Sequence, residues 1–298
     1  MNQSLLSELI QKFTPQSKLL REWKLQGGLS AHITAFEIEH ADGCTQKLIL
    51  RQHSKAASPD LASNEFRLLQ LLQKAGLAVQ TPYYRAEAGP LCATSTIILE
   101  FVEGEPLFDC HTLLDDCSNY TSQMATYLTQ VHGISSAQHD LSFLPNKIDA
   151  PLPAHWHGPS AARIRSLLEP IWPLTHANQP TLVHGDFWPG NLLWRKGQLV
   201  AVIDWEDAAI GDPLQDLAIA RFDILFIFGV EAMDQFTRYY QAQSPQVDFT
   251  QLPYWDLYAA LRASDGIVEW APGWPGLGRS DITEDTIRAA HEWFIEHR

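Results

Sequence analysis

One stretch constrains the fold more than any other: LVHGDFWPGNLLWRKGQLVAVIDWEDAAIGDP, residues 182–213. Asp186 and Asn191 stand five apart across the loop Trp188-Pro189-Gly190. Leu192 to Ile203 reads as a tight hairpin turning at Lys196-Gly197, with Asn191 opening it and Asp204 closing it. A hairpin brings its ends together. The Asn191 amide oxygen and the Asp204 carboxylate can therefore face one ion. A few hard oxygen ligands suit Mg²⁺ that also holds nucleotide phosphates. Asp186, in the loop before them, can reach a substrate hydroxyl. Phosphoryl transfer needs such an arrangement, because its transition state is mainly positioned and neutralised while one carboxylate orients the nucleophile.

The rest of the 298-residue chain divides around this stretch. Candidate strands run over Leu19–Leu25, Thr34–Glu39, Gln46–Arg51 and Ile97–Val102, with a hairpin signal at Asp42-Gly43. Between the last two, Ser58-Pro59-Asp60 opens a helix whose Phe66, Leu68, Leu69, Leu71 and Leu72 keep helical spacing up to Gly76. After Glu103-Gly104-Glu105-Pro106 the pattern turns helical: Ser122–His132, Ser160–Leu168, Pro213–Phe228, Val230–Gln241, Leu252–Trp270 and Thr283–His297. The expected fold is α+β in two lobes. Residues 1–102 form a small β-rich lobe with one helix, and residues 103–298 a larger, mainly helical lobe.

The signature His184-Gly185-Asp186 with Asn191, followed by Ile203-Asp204-Trp205-Glu206 and GDPLQDL over 211–217, resembles the aminoglycoside phosphotransferase and choline kinase group. That family consists of small-molecule relatives of protein kinases. The resemblance implies a protein-kinase-like fold and transfer of a nucleotide γ-phosphate to a small-molecule hydroxyl, with ATP (or GTP) and Mg²⁺. Asp186 would be the catalytic carboxylate, and Asn191 and Asp204 the metal ligands. Gly27-Gly28-Leu29-Ser30 matches the nucleotide-covering loop, so Gly27, Gly28 and Ser30 would lie at the phosphates, where glycines let backbone N–H groups come close. Arg51 would take the place of the phosphate-binding lysine of protein kinases, with Glu65 as its ion-pair partner. Ile98–Val102 looks like the family's hinge, placing Glu100 and Val102 where backbone would bond an adenine edge. His184 would brace the loop. Asp212 and Asp216 are expected to be structural, and His132 at a helix end a satisfied packing or capping residue.

The acceptor is less constrained. In 254–274 Asp256, Asp265 and Glu269 interleave with Trp255, Trp270 and Trp274. Asp265 and Glu269 share a helical face, and Trp beside carboxylate suits an ammonium group. Residues 1–150 carry 16 acids against 11 bases, and residues 151–298 carry 19 against 10. An acceptor site at Asp265, Glu269, Trp270 and Trp274 would therefore favour a cationic, aminoglycoside- or choline-like molecule. A net charge of -14 disfavours a nucleic-acid partner. No apolar run is long enough to span a membrane, and the polar N-terminus does not read as a signal peptide. The expected setting is cytoplasmic, with Cys44, Cys92, Cys110 and Cys117 as free thiols. The chief alternative is a non-catalytic nucleotide-binding module on the same fold, disfavoured because Asp186, Asn191 and Asp204 are all present. A metal-dependent hydrolase would need more His and carboxylate ligands nearby. A protein kinase would carry A-P-E and G-x-G-x-x-G segments, and neither occurs.

Overall fold

The computed structural model describes residues 3–25, 31–54, 58, 60–89, 94–109, 117–175 and 177–297. The chain forms two compact units, Met1–Glu103 with Ala201–Glu206, and Gly104–Val200 with Asp207–Arg298. The sequence division at residue 102 leaves out the return of Ala201–Glu206 to the first unit.

In the first unit α1 (Gln3–Phe13) precedes β1 (Lys18–Lys24), β2 (Ala31–Glu39) and β3 (Thr45–His53). Next come α2 (Leu61–Lys74), β4 (Pro82–Ala86) and β5 (Thr96–Glu100). The strands make one sheet in the order β1-β2-β3-β5-β4, and every neighbouring pair is antiparallel. At the β2–β3 turn Gly43 takes φ 85°, a conformation glycine adopts without Cβ strain. Period-two alternation aims Phe36 and Ile38 of β2 and Leu48 and Leu50 of β3 at one face. There they meet Leu6, Leu9 and Ile10 of α1 and Ile98 of β5, all buried. The helix α1 was not foreseen, although Leu6, Leu9, Ile10 and Phe13 hold an i, i+3, i+4, i+7 spacing. Val202 returns to this unit by donating its N–H to the Ala78 carbonyl at 2.9 Å.

The second unit begins with β6 (Glu105–Pro106), α3 (Ser118–His132), α4 (Ala161–Leu168) and β7 (Thr181–Val183). It continues through β8 (Leu192–Arg195), β9 (Gln198–Val202) and β10 (Ala209–Gly211), then α5 (Pro213–Phe228), α6 (Val230–Gln243), α7 (Leu252–Trp270) and α8 (Glu284–Glu296). The hairpin turn has Lys196 at φ 51° and Gly197 at φ 75°, the left-handed pair a tight two-residue turn requires. Strand β7 pairs antiparallel with β10, a ladder the sequence did not announce. Helix α5 is apolar almost all round, and of its residues only Leu225 is not buried. A helix of that kind sits at a unit's centre, and α3, α6, α7 and α8 pack in the same unit. Its interior arginine is paired: Arg221 forks onto Asp256 of α7 at 3.1 and 3.1 Å and donates to Thr237 at 2.6 Å. Among the described helices none is long and apolar enough to cross a membrane.

Cys44 is a free, exposed thiol. Cys117 is disulfide-bonded, against the expectation of four free thiols, and its partner lies outside the described residues.

Candidate active site

In the second unit the catalytic-loop candidates follow β7 directly. Gly185 sits at φ 85°, and a Cβ there would stand 2.4 Å from the Asp207 carbonyl oxygen, so the chain can pass only as glycine. The loop hangs on Asp216, which is wholly buried on α5. Asp216 Oδ2 accepts the His184 N–H at 2.6 Å, and Oδ1 accepts the Gly185 N–H at 2.8 Å. His132 Nε2 reaches Oδ2 at 3.3 Å, and His132 Nδ1 bonds the Tyr240 hydroxyl at 2.6 Å. Burial works to raise the Asp216 carboxyl. The His132 hydrogen bond and the charges of His132 and His184 outweigh it and hold Asp216 below the ordinary carboxylate range. Buried His184 takes the Asp186 N–H on Nδ1 at 3.2 Å, so it orients the loop and leaves the chemistry to its neighbour. Asp212 caps α5, accepting the Leu214 N–H at 2.8 Å.

Asp186 itself is held at both carboxylate oxygens. Asn191 Nδ2 donates to Oδ2 at 3.0 Å and to the Asp186 carbonyl at 2.9 Å. Arg262 of α7 donates from Nη2 to Oδ1. The sequence reading passed over Arg262. Its signal was position: the one base in a 19-residue helix that carries three acids, three and seven residues ahead of Asp265 and Glu269. Asn191 spends its NH₂ on Asp186, so its Oδ1 is free to ligate a cation.

In the first unit Arg51 of β3 gathers three carboxylates. Its Nη2 donates to Asp204 Oδ1 at 2.6 Å and to Glu206 Oε2 at 2.7 Å, and its Nε lies 3.5 Å from Glu65 Oε2. The guanidinium is buried, which disfavours its charge. Glu65, Asp204 and Glu206 more than offset that and raise it further. Burial likewise works to raise Glu65, but Arg51 and His53 bring it below its ordinary value. His53 Nε2 meets Glu65 Oε2 at 2.8 Å. Asp204 takes φ 65°, an uncommon conformation for a residue with a side chain. Backbone strain of this kind collects at functional sites. One Asp204 oxygen serves Arg51, and the other is available to a ligand. Among the described residues no group of three or more His, Cys, Asp and Glu could hold a metal by itself. Asn191 and Asp204 each offer a hard oxygen, the donor type Mg²⁺ takes when phosphates and water complete its shell.

The remaining candidates fall in several places. Gly27, Gly28 and Ser30 lie outside the described residues. Glu100 ends β5 and accepts the Thr81 hydroxyl at 2.7 Å and the Thr81 N–H at 3.2 Å. Val102 follows, half-buried and outside any strand. On α7, Asp265 and Glu269 are exposed and Trp270 is half-buried. Trp274 is buried, edge-on to Phe108 and Phe226, as part of the packed interior. Asp256 is also interior, consumed by Arg221.

The model of the phosphotransferase enzyme family matches residues 25–255. Mouse acyl-CoA dehydrogenase family member 10 is 25% identical over 236 residues, 68% of this chain and 22% of that protein. Hygromycin-B 4-O-kinase of Escherichia coli is 34% identical over 70 residues, 22% of this chain and 18% of that protein. The chain thus matches about a fifth of the length of either relative. The solved GDP complex of aminoglycoside 2'-phosphotransferase-IIIa has a TM-score of 0.66 at 18% identity, over 99% of this chain and 98% of that one. This likeness establishes a shared fold.

Proposed function

Starting from a chain that belongs to the phosphotransferase enzyme family, we propose that it moves the γ-phosphate of a nucleoside triphosphate onto a hydroxyl of a small molecule, with Asp186 as the catalytic carboxylate. The observation that carries this reading is the anchoring of Asp186. Its backbone N–H is held by His184, its Oδ2 by Asn191, and the two residues before it by the Asp216 clamp. A carboxylate fixed this firmly, yet still a quarter exposed, can accept a hydrogen bond from an incoming hydroxyl. As the hydroxyl oxygen bonds to the γ-phosphorus, the bond from that phosphorus to the β–γ bridging oxygen breaks. The hydroxyl proton passes to the Asp186 side, and the nucleoside diphosphate leaves with its electron pair.

Asn191 and Asp204 would hold Mg²⁺, which supplies charge neutralisation to the phosphates when bound. Arg51, fixed by Glu65, would hold the nucleotide phosphates, with the backbone of Glu100 and Val102 and of the Gly27-Gly28-Leu29-Ser30 segment on the nucleotide. ATP is the expected donor, with GTP as the alternative. Asp265, Glu269 and Trp270 on α7 would meet a cationic acceptor, and the expected setting is the cytoplasm.

A nucleotide-turnover screen against a panel of hydroxyl metabolites and aminoglycosides tests the reading. Asp186→Ala should lower turnover by about 10²–10⁴, the worth of a positioned acid–base group. Nucleotide affinity should stay near that of the wild type. Undiminished turnover in the variant on a validated acceptor would remove Asp186 from the chemistry.

A further inference from the structure

Arg51, Arg221 and Arg262 each meet a carboxylate away from open solvent, and they are used differently. Arg51 meets Glu65, Asp204 and Glu206. Arg221 is forked onto Asp256 and also bonds Thr237. Arg262 has one hydrogen bond among the described residues, from Nη2 to Asp186 Oδ1. A guanidinium carries five N–H donors, so most of this fork is unfilled. It is nevertheless three-quarters buried, with its side chain 26% exposed. Burial disfavours its charge, and the nearby carboxyls, Asp186 first among them, more than restore it.

Asp223, buried on α5, has its carboxyl raised by burial to about 8, with Arg262 lowering it and Asp186 raising it. Burial thus favours its protonated form, and Asp186 is the carboxylate in direct contact with Arg262. One turn further along α7, a Cβ on Gly266 would fall 2.3 Å from the Trp270 indole. The indole therefore lies across Gly266, one turn along the helix from Arg262.

A bare carboxylate repels any anion that approaches it, yet the reaction read for this site brings phosphoryl oxygens to Asp186. We propose that Arg262 is a catalytic residue whose unfilled donors bind an anionic oxygen delivered to Asp186. That oxygen belongs either to the phosphoryl group in transfer or to a carboxylate or phosphate on the acceptor. Both are planar or tetrahedral oxyanions that a guanidinium fork recognises, and the first puts the cation where transition-state charge collects. The inference rests on the phosphotransfer reading for its chemistry, and on Arg262 alone for its binding.

Two measurements test it. The first needs no turnover. In the full-length protein labelled with ¹⁵N-arginine, inorganic phosphate should shift the Arg262 Nε–H resonance, which is assigned by its absence from Arg262→Lys. A resonance that phosphate leaves unmoved overturns the proposal. The second compares Arg262→Gln and Arg262→Lys, each confirmed folded by circular dichroism, on one uncharged and one anionic acceptor. Glutamine keeps an N–H donor on a shorter side chain and carries no charge. If the phosphoryl group is bound, Arg262→Gln lowers kcat by about 10²–10³ on both acceptors, the scale for losing one preorganised oxyanion donor. If the acceptor's anion is bound, KM rises for the anionic acceptor alone. In both cases Arg262→Lys recovers much of the loss. Wild-type kcat and KM in Arg262→Gln would reduce Arg262 to a prop for Asp186 and overturn the proposal. Should the wild type phosphorylate no acceptor, the phosphotransfer reading fails, and the phosphate titration still decides Arg262.

Discussion

Replacing Asp216 with Asn should loosen the catalytic loop in a way that is measurable twice, in stability and in turnover. Asp216 accepts two adjacent backbone N–H groups, from His184 at 2.6 Å and Gly185 at 2.8 Å, with His132 as a third donor. Asparagine is nearly the same shape but has one acceptor oxygen and one NH₂. Whichever way the amide turns, one backbone N–H faces another donor in a fully buried place. A hydrogen bond to a charged group contributes about 1.5–3 kcal/mol, and stranding its partner adds to the cost. The expected loss is about 2–4 kcal/mol. At roughly 2–4 °C per kcal/mol for a chain of this size, Tm should fall by about 5–15 °C. The pH dependence gives an internal check. Asp216 lies below its ordinary value of 3.8 in the folded state. Its contribution is therefore complete above that value and is lost as pH falls through the lower, folded one. The difference between wild type and variant should be constant near neutrality and shrink below about pH 4. Scanning calorimetry across pH reads both quantities. Turnover measured well below Tm should fall as well, since a displacement of about 1 Å at a reacting group can cost about 10²-fold. A Tm change under about 2 °C, or a difference that grows in acid, would refute the clamp.

Asp204→Ala should weaken Mg²⁺-dependent nucleotide binding more than Asn191→Ala does, because a carboxylate neutralises the cation and an amide only fills a coordination place. Calorimetric titration with ATP and Mg²⁺ decides it, and equal affinity in wild type and Asp204→Ala would remove Asp204 from the metal. Asp265→Asn and Trp270→Ala should each raise KM for a cationic acceptor, and the acceptor's affinity should drop with added salt, since exposed charge is screened beyond about 8–10 Å at physiological ionic strength. Unchanged KM in both variants would take the acceptor off that face of α7.

The residues that announced the chemistry were legible because they lie close together in the chain. Asp186 and Asn191 are bound to each other within one loop, and the Lys196-Gly197 turn follows from local backbone preference. Helices α5 to α8 were legible from their helical patterns over Pro213–Phe228, Val230–Gln241, Leu252–Trp270 and Thr283–His297. What was not legible depends on partners far apart in sequence. Strands β7 and β10 are three residues each, too short to show a period. The Asp216 clamp joins residues 31 and 32 positions apart, and nothing in GDPLQDL says which backbone its carboxylate will meet. Arg262 and Asp186 are 76 positions apart, and only the packed arrangement of α7 against the loop reveals the pair.

The acidic excess of residues 151–298 shows why charge counted along a chain is a weak guide to charge presented at a site. Asp256 is neutralised by Arg221, Asp216 is enclosed by His132 and two backbone amides, and Asp223 is lifted towards its protonated form by burial. None of these three offers charge to an approaching molecule. Of the acids on α7 only Asp265 and Glu269 are exposed, and Arg262 shares their side of the helix. The surface next to Asp186 therefore carries both signs: a cation in contact with the Asp186 carboxylate and two anions one and two turns beyond it. A purely cationic ligand would gain at the far end and lose beside Arg262.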